Sequence, residues 1–493
     1  MYSKFKFIGP SASLIVLMWV ASLLPVYAQG CQTADFDPAQ TFSTGIGTIF
    51  VTTGDFNSDG NLDLATADYL GNEVSVLLGN GLGGFAPAQS FGVGVLPASL
   101  ATGDFNGDGK LDLATANYLS SDVSILLGNG SGAFSPAQNF GTGFSPYSIT
   151  AGDFNSDGKL DLATANYLGN DISIILGNGS GAFGPAQNFA VEMNPISIRS
   201  GDFNNDGKLD LTAANSNSAS ISVLLGNGSG GFDPAQNFGV GFSPNSVIAD
   251  DFNNDGKLDI VSANYFSNNV SLLLGNGSGG FAPAQNFGVG DFPLSLEKGD
   301  FNGDGKLDIA SANYGRIVSL LLGNGSGGFA PAQNFALSSP PYSLTAGDLN
   351  KDGKLDLATA NFESNNVAVF LNRCAGSASF NFNGFFNPIN NLKVNDVKAG
   401  SAIPVKFSLD GDHGLNIFAD GYPNSVLKNC DGSVSENMTL ETESAGSSGL
   451  TYDADSDTYT FIWKTDKGWK GTCRQLVVKL TDASIHTADF RFK

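Results

Sequence analysis

The string Asp-Phe-Asn-x-Asp-Gly-x-Leu-Asp begins at Asp55, Asp104, Asp153, Asp202, Asp251 and Asp300, and a seventh copy with Leu349 in place of Phe begins at Asp348. Successive copies lie 49 residues apart, except the last, which follows at 48, the missing residue falling around Gly315-Arg316. A fixed period of this length restricts the chain to architectures in which one supersecondary unit packs on the next.

Each unit divides into four strand-length pieces. In the second copy they are Ala98–Asp104, Leu111–Ala116, Val123–Leu127 and Phe134–Phe140, all bounded by Gly, Asn, Asp or Pro. Apolar periodicity of helical length is absent from the repeats, and the 64 Gly and 38 Phe suit short strands with tight turns. Four strands repeated seven times predict an all-β fold, a seven-bladed β-propeller; the rival is an open β-solenoid. The chain ends discriminate. The last copy stops after its third strand, Val367–Leu371, while an orphan Phe36-Asp37-Pro38-Ala39-Gln40-Thr41-Phe42 matches the fourth-strand sequence Phe85–Phe91. An N-terminal strand that completes the last blade abolishes the edges of a ring and serves no purpose in a solenoid. The expected propeller spans 31–374.

In repeat coordinates, Cys31 and Cys374 both fall at the Asn80-Gly81 turn between strands three and four. Ring closure brings them within the ~4.4–6.8 Å Cα separation of a disulfide, so a Cys31–Cys374 clasp is expected, with two free thiols as the alternative. Lys4 and Lys6 precede an apolar run to Leu24 and then Val26-Tyr27-Ala28, the pattern of a secretory signal (1–28) cut after Ala28. The run is shorter than a membrane span requires. Lipidation of Cys31 is disfavoured by Gln29. An exported chain favours disulfides.

Within the repeated string, side-chain oxygens fall at positions 1, 3, 5 and 9, with Gly at 6 for the sharp turn. This is close to an EF-hand loop, except that position 9 is Asp and position 12 is apolar or small. Hard oxygens without His or Cys favour calcium over a stricter magnesium octahedron. The expected ligands are Asp55, Asn57, Asp59 and Asp63; Asp104, Asn106, Asp108 and Asp112; Asp153, Asn155, Asp157 and Asp161; Asp202, Asn204, Asp206 and Asp210; Asp251, Asn253, Asp255 and Asp259; Asp300, Asn302, Asp304 and Asp308; and Asp348, Asn350, Asp352 and Asp356. That is about one calcium per unit, up to seven. A metal-free Asx-turn hairpin is the alternative, opposed by mutual repulsion of three carboxylates. Between Cys31 and Cys374 lie 33 acidic and 11 basic residues, 21 of the acids in these loops. The acidity is therefore mostly ligation, and it excludes a nucleic-acid partner.

These units resemble FG-GAP or VCBS repeats, similar to the calcium-binding blades of integrin alpha-subunit propellers and of many secreted bacterial proteins. The resemblance covers about residues 32–374 and implies one structural calcium per loop; it does not fix a ligand.

Strand parity puts the acidic loops and the Gly-Asn-Gly turns on one face. The other face receives the strand two–three and four–one connections, with Tyr69, Tyr118, Tyr167, Tyr265 and Tyr314 in one set and Phe144, Tyr147, Phe242, Phe292 and Tyr342 in the other. The first set recurs after Ala-Asn in most units and is expected to wedge between blades; the second varies more and is expected to be exposed. Arg316 is the one base among the two–three connections. Loops on a rigid scaffold carry recognition, so Phe144, Tyr147, Phe242, Phe292, Arg316 and Tyr342 are the candidate ligand contacts, for an extracellular protein or surface glycan. Catalysis has little support: the only histidines, His413 and His486, lie outside the repeats, which removes most triad and zinc schemes there. A paired-carboxylate glycosidase would need acids such as Asp68, Glu73, Asp122 and Asp171, which read as solvated loop charges. The alternatives to a binding module are a polysaccharide-active enzyme and a structural spacer.

After Cys374 the period is lost. A linker (375–384) leads to strand-like runs Ile403–Leu409, Thr458–Trp463, Leu476–Leu480 and Thr487–Phe492, the pattern of a small β-sandwich over 385–493 that Cys430 and Cys473 can bridge. Val397–Phe407, Tyr459–Lys464 and Trp469–Arg474 resemble the PxKF domain of secreted bacterial proteins, which brings no activity with it and favours a bacterial source. Lys406 is expected to reach out from a strand.

Overall fold

The computed structural model describes residues 34–373, 382–390, 393–409, 417–418, 423–428, 430, 440–441, 450–454, 456–480 and 485–493. The expected signal segment, both thiols of the expected Cys31–Cys374 clasp and most of the expected linker lie outside these residues. No helix among the described residues is long and apolar enough to cross a membrane.

Residues 34–373 form seven four-stranded antiparallel sheets, an all-β arrangement consistent with a propeller. In the second sheet, Pro97–Gly103, Asp112–Asn117, Asp122–Leu126 and Gln138–Gly141 pair in chain order. The fourth strand begins later than its sequence suggests. Phe134 makes only an isolated bridge to Gly128, because Pro136 has no amide to continue the ladder.

The second strand explains how the sheets stack. Asp112–Asn117 is buried on both sides. Leu113 packs with Ala65 and Ala67 of the first sheet, whereas Ala114 and Ala116 pack with Ile149 and Leu162 of the third. Alternation sends successive side chains to opposite neighbours, and alanine on one side allows close approach. Phe56, the residue after the first Asp of its loop, is 1% exposed and meets Phe134 of the next sheet edge to face at 5.8 Å. Phe105 meets Phe183 likewise at 5.8 Å, and the loops that begin at Asp153, Asp202 and Asp251 repeat the contact, so each of the first five acidic loops is pinned to the next sheet by an aromatic pair.

The seventh sheet contains Ser343–Gly347, Asp356–Asn361 and Asn366–Phe370, and its fourth strand is Gln40–Ser43 from the start of the chain. Thr41 pairs with Ala368 and Phe42 with Val367, Phe36 bridges Asn372, and Arg373 is ion-paired with Asp37. Contacts between the seventh and first sheets repeat those between other neighbours. Gly83 N donates to Leu349 O at 3.1 Å, as Gly132 N does to Phe56 O at 3.0 Å. Val51, Leu64 and Leu77 share a core with Ala358, Ala360 and Val367.

In the C-terminal segment, Ala402–Phe407, Thr458–Lys464 and Thr451–Asp453 form one sheet; Asn395–Val397, Ile485–Phe492, Cys473–Lys479, Asn424–Lys428 and Leu440–Glu441 form the other. One core serves both, with Val405, Phe407, Tyr459 and Trp463 from the first and Leu476, Phe490 and Phe492 from the second. The expected strands are all present. Phe382, placed in the linker by the sequence, stacks on His486 with ring centroids 3.7 Å apart, so the module begins earlier than expected. Cys430 and Cys473 form a disulfide with Cα atoms 5.2 Å apart. Lys406 is exposed, as its strand parity requires.

Candidate functional site

Each acidic loop is folded on its own amides. In Asp104–Asp112, Asp104 Oδ1 accepts from Asp108 N at 3.1 Å and its Oδ2 from Gly109 N at 2.7 Å. Asn106 Oδ1 accepts from Asp108 N at 2.8 Å, and Asp108 Oδ1 from Lys110 N at 3.0 Å. Gly109 sits at φ +79°, a conformation glycine adopts without strain. The same bonds recur in the other loops, for example Asp157 N to Asp153 Oδ1 at 3.1 Å and Asp352 N to Asn350 Oδ1 at 2.9 Å.

The position-nine aspartates, Asp63, Asp112, Asp161, Asp210, Asp259, Asp308 and Asp356, are each 0% exposed. In each, both oxygens take backbone amides from separate segments. Asp112 Oδ2 accepts from Phe105 N at 2.9 Å and Oδ1 from Gly128 N at 2.7 Å, tying the loop to the end of the third strand. Burial raises the Asp112 pKa, repulsion from Asp108 and Asp104 adds to it, and the two amides oppose it. By the same causes Asp308 is pushed up to about 7, and Asp210, Asp259 and Asp356 to about 6.

The donor set fits a hard divalent cation. It is all oxygen, its three carboxylates are close enough to oppose one another's ionisation, and every carboxylate keeps lone pairs beyond its amide bonds. As folded, the position-seven lysine stands in front of the site. Lys110 Nζ lies 3.4 Å from Asp108 Oδ2, and Lys208 Nζ lies 3.2 Å from Asp206 Oδ2. Among the described residues no three His, Cys, Asp or Glu side chains are gathered as a metal cage. Binding would therefore require the lysine to swing out and the position-one and position-five carboxylates to close in. The lysine and the position-five carboxylate are exposed, 41% and 38% at Lys110 and Asp108, so their movement is small in energy, whereas the position-one carboxylate is half-buried on its amides.

On the opposite face, the two–three and four–one connections of the first six sheets are hydrogen-bonded together. Leu119 N donates to Val95 O at 3.1 Å and Phe266 N to Phe242 O at 3.2 Å. Neighbouring sheets are stitched by asparagine, Leu96 N donating to Asn72 Oδ1 at 2.9 Å and Asn194 N to Asn170 Oδ1 at 2.8 Å. Gly47 N and Asn365 Oδ1, at 2.7 Å, make the same stitch between the first and seventh sheets.

Phe144 and Phe242 are each 71% exposed on this face and Phe292 is 38% exposed. Arg316 is exposed and sits 3.9 Å from Glu363. Tyr342, expected to be exposed, is instead half-buried between Tyr314 and Phe362. Tyr147 departs from the expectation of an exposed contact: it is half-buried against Tyr118 and Tyr167 and lines an axial cavity. Proline at 146 begins its strand, which turns the ring inward instead of onto the rim. The other tyrosine set is half-buried in a chain of rings, Tyr69 to Tyr118 at 6.5 Å and Tyr118 to Tyr167 at 6.3 Å, the packing role expected of it.

Sequence reasoning missed the aliphatic residues between the candidate aromatics. Ile46, Val95 and Met193 are exposed at the position that holds Phe144 and Phe242, and Leu70, Leu119 and Leu168 at the position that holds Phe266. The signal was a large apolar residue after four of the five Ala-Asn-Tyr or Ala-Asp-Tyr strings, at a turn where polar residues are usual. Asp68 was misread as a solvated charge. It is 0% exposed and accepts from Thr48 Oγ1 at 2.7 Å and Ser75 Oγ at 2.6 Å, occupying the strand-end slot that Asn117 and Asn166 hold in later sheets.

Six overlapping segments, residues 55–115, 104–164, 153–213, 202–262, 251–311 and 300–359, match the family described as FG-GAP-like repeat. No curated protein matches the chain in sequence. Similar solved structures include a functionally unknown protein from Desulfotomaculum acetoxidans, with 13% identity over 58% of this chain and 86% of that one at a TM-score of 0.42. The periplasmic gluconolactonase PpgL of Pseudomonas aeruginosa has 16% identity over 59% and 86% at 0.46. A humanized mutant of the Chaetomium thermophilum Polycomb Repressive Complex 2 has 10% identity over 69% and 97% at 0.47.

Proposed function

The chain belongs to the FG-GAP-like repeat family, and on that premise we propose that it is an exported, calcium-loaded, closed seven-bladed propeller that binds an extracellular protein through the face opposite its acidic loops. Closure is supported by the pairing of Gln40–Ser43 with Asn366–Phe370 and by contacts between the seventh and first sheets that repeat those between other neighbours. Calcium is supported by the all-oxygen donor set at positions 1, 3, 5 and 9.

The observation that carries the binding role is the exposed apolar arc. Phe144, Phe242, Phe266, Leu119, Leu168 and Met193 stand on connections stitched rigidly from sheet to sheet. Exposed apolar side chains repeated along one face of a scaffold mark an interaction site. The mixture of aliphatic with aromatic side chains fits the apolar centre of a protein interface better than a sugar platform, which needs flat rings. Rigid connections also reduce the ordering cost of association.

The test is binding of the full secreted chain, with calcium, to parallel arrays of extracellular proteins and of glycans, followed by the double variant Phe144→Ser, Phe242→Ser. Both rings are exposed, so the variant should fold normally. The expected result is capture of a protein, weakened more than tenfold in the variant. Glycan binding alone, or protein binding that the variant leaves unchanged, would overturn the reading.

A further inference from the structure

Seven near-copies make departures informative. The first strands of all seven sheets contribute to an axial cavity of about 80 Å³. The fifth residue before each acidic loop lines it, and is serine in six sheets, Ser99, Ser148, Ser197, Ser246, Ser295 and Ser343, but Phe50 in the first. The third residue before the loop is threonine, alanine or isoleucine in five sheets. In the fourth sheet it is Arg199, the one charged side chain among the described residues that line the cavity.

The serine hydroxyls have hydrogens to give. Ser148 Oγ accepts from Ile198 N at 3.3 Å, Ser197 Oγ from Val247 N at 3.2 Å and Ser246 Oγ from Leu296 N at 3.1 Å. Each bond runs from one sheet to the next and occupies an oxygen lone pair, so the hydroxyl hydrogen is left for the cavity. None of these three serines is more than 6% exposed. Ser343, 3% exposed, has no hydrogen-bond partner for its Oγ among the described residues. Arg199 Nη1 donates to the carbonyl of its own neighbour Ile198 at 2.8 Å, which leaves most of the guanidinium N–H groups unused. No carboxylate lines the cavity. Glu297 holds the position of Arg199 in the sixth sheet but is not among the lining residues, and its Oε1 accepts from Lys298 N at 3.1 Å. Buried donors without acceptors are costly, and here several share one space.

We propose that the axial cavity binds a short-chain carboxylate, its oxygens on Arg199 and the serine hydroxyls and its alkyl group toward Phe50. A surplus of donors calls for a guest made of acceptors, whereas water would bring further hydrogens of its own. A planar guanidinium grips a carboxylate through two parallel bonds, which a spherical anion cannot accept. The lining is polar along the serines and apolar at Ile49, Phe50, Ile196 and Leu294, so a guest with one charged and one apolar end matches both parts. The volume limits the tail to a few carbons. The site lies on the axis, and its failure would leave the reading of the apolar face untouched.

The experiment is calorimetric titration of the full chain, in calcium and at constant ionic strength, with formate, acetate and propionate, and with acetamide and chloride as controls. Saturable binding of at least one carboxylate is expected, with both controls at least tenfold weaker. Arg199→Thr installs the residue that Thr52, Thr150 and Thr345 provide in sister sheets, so it should fold normally and lose affinity tenfold or more. Ser343→Ala removes a hydroxyl that bonds to nothing in the fold, so Tm should hold or rise while affinity falls at least threefold. Failure of all three carboxylates to saturate, either control binding as tightly as the best of them, or unchanged affinity in Arg199→Thr would overturn the proposal. Should Arg199→Thr misfold, crystals of the unmodified chain soaked in the best carboxylate decide. Carboxylate density against Arg199 supports the site, and water alone refutes it.

Discussion

At the scale of single residues, the position-nine aspartates hold the repeats together whether or not metal is bound. Asp161 accepts from Phe154 N at 3.0 Å and Gly177 N at 2.7 Å. The second of these donors has to be glycine, since a Cβ there would lie 2.1 Å from the Leu160 carbonyl oxygen. Asp161→Ala strands two buried amides, each costing about 1–3 kcal/mol, and should lower unfolding stability in urea by about 2–5 kcal/mol. Asp161→Asn keeps one acceptor and should lose roughly half as much. The loss should persist in EDTA; a loss confined to calcium-containing buffer would make the residue a metal ligand and nothing more. The recurrence of this aspartate was plain in the sequence, but its bond to an amide sixteen residues later was not, because that pairing exists only once three strands are aligned. Asp68 escaped for a related reason. A charge on a strand reads as solvated until the neighbouring sheets close over it.

At the scale of elements, the fourth strand of the last sheet tests how that sheet is completed. Gln40–Ser43 lies against Asn366–Phe370, and Phe42 meets Phe85 of the first sheet at 5.2 Å. A chain shortened to begin at Thr44 would leave Asn366–Phe370 as an exposed apolar edge, a template for pairing with a second copy. Hydrogen exchange should show lost protection at 366–370 with little change at the equivalent third strand Asp122–Leu126, and light scattering should show dimers or larger species. Unchanged protection at 366–370 would mean that the N-terminal strand is not needed to complete the sheet. Strand order and this terminal exchange were legible because the period is exact and the orphan Phe36–Phe42 carries the fourth-strand sequence. Boundaries were less so. Phe134 sits in the right sequence pattern but Pro136 interrupts its ladder, and Phe382, in a run of small and polar residues, joins a core whose other members lie far along the chain.

At the scale of the whole molecule, electrostatics decides between two states of the acidic face. The repeat region holds 33 acidic and 11 basic residues, and its loops are pre-shaped by their own amides, so metal is not needed to define the turn. Without metal, however, carboxylates crowd one end of every sheet, and the position-seven lysines of six loops, with Lys351 near Asp59 of the first, stand against them. A cation bound to the folded loops and not to the unfolded chain stabilises by about 2.7 kcal/mol per site at a hundredfold excess over its Kd. Elemental analysis after dialysis against calcium should therefore approach seven ions per chain, and EDTA should lower Tm substantially, with magnesium restoring less than calcium. Sodium chloride added to the EDTA sample should recover part of the loss, because screening acts on repulsion between exposed carboxylates, whereas an uncharged osmolyte should not show the same dependence on ionic strength. A Tm unchanged by EDTA, with less than one ion retained per chain, would leave the amide network as the sole organiser of the loops. The high acidity would then be a solubility property of the surface, and the proposed binding face would have to work without metal.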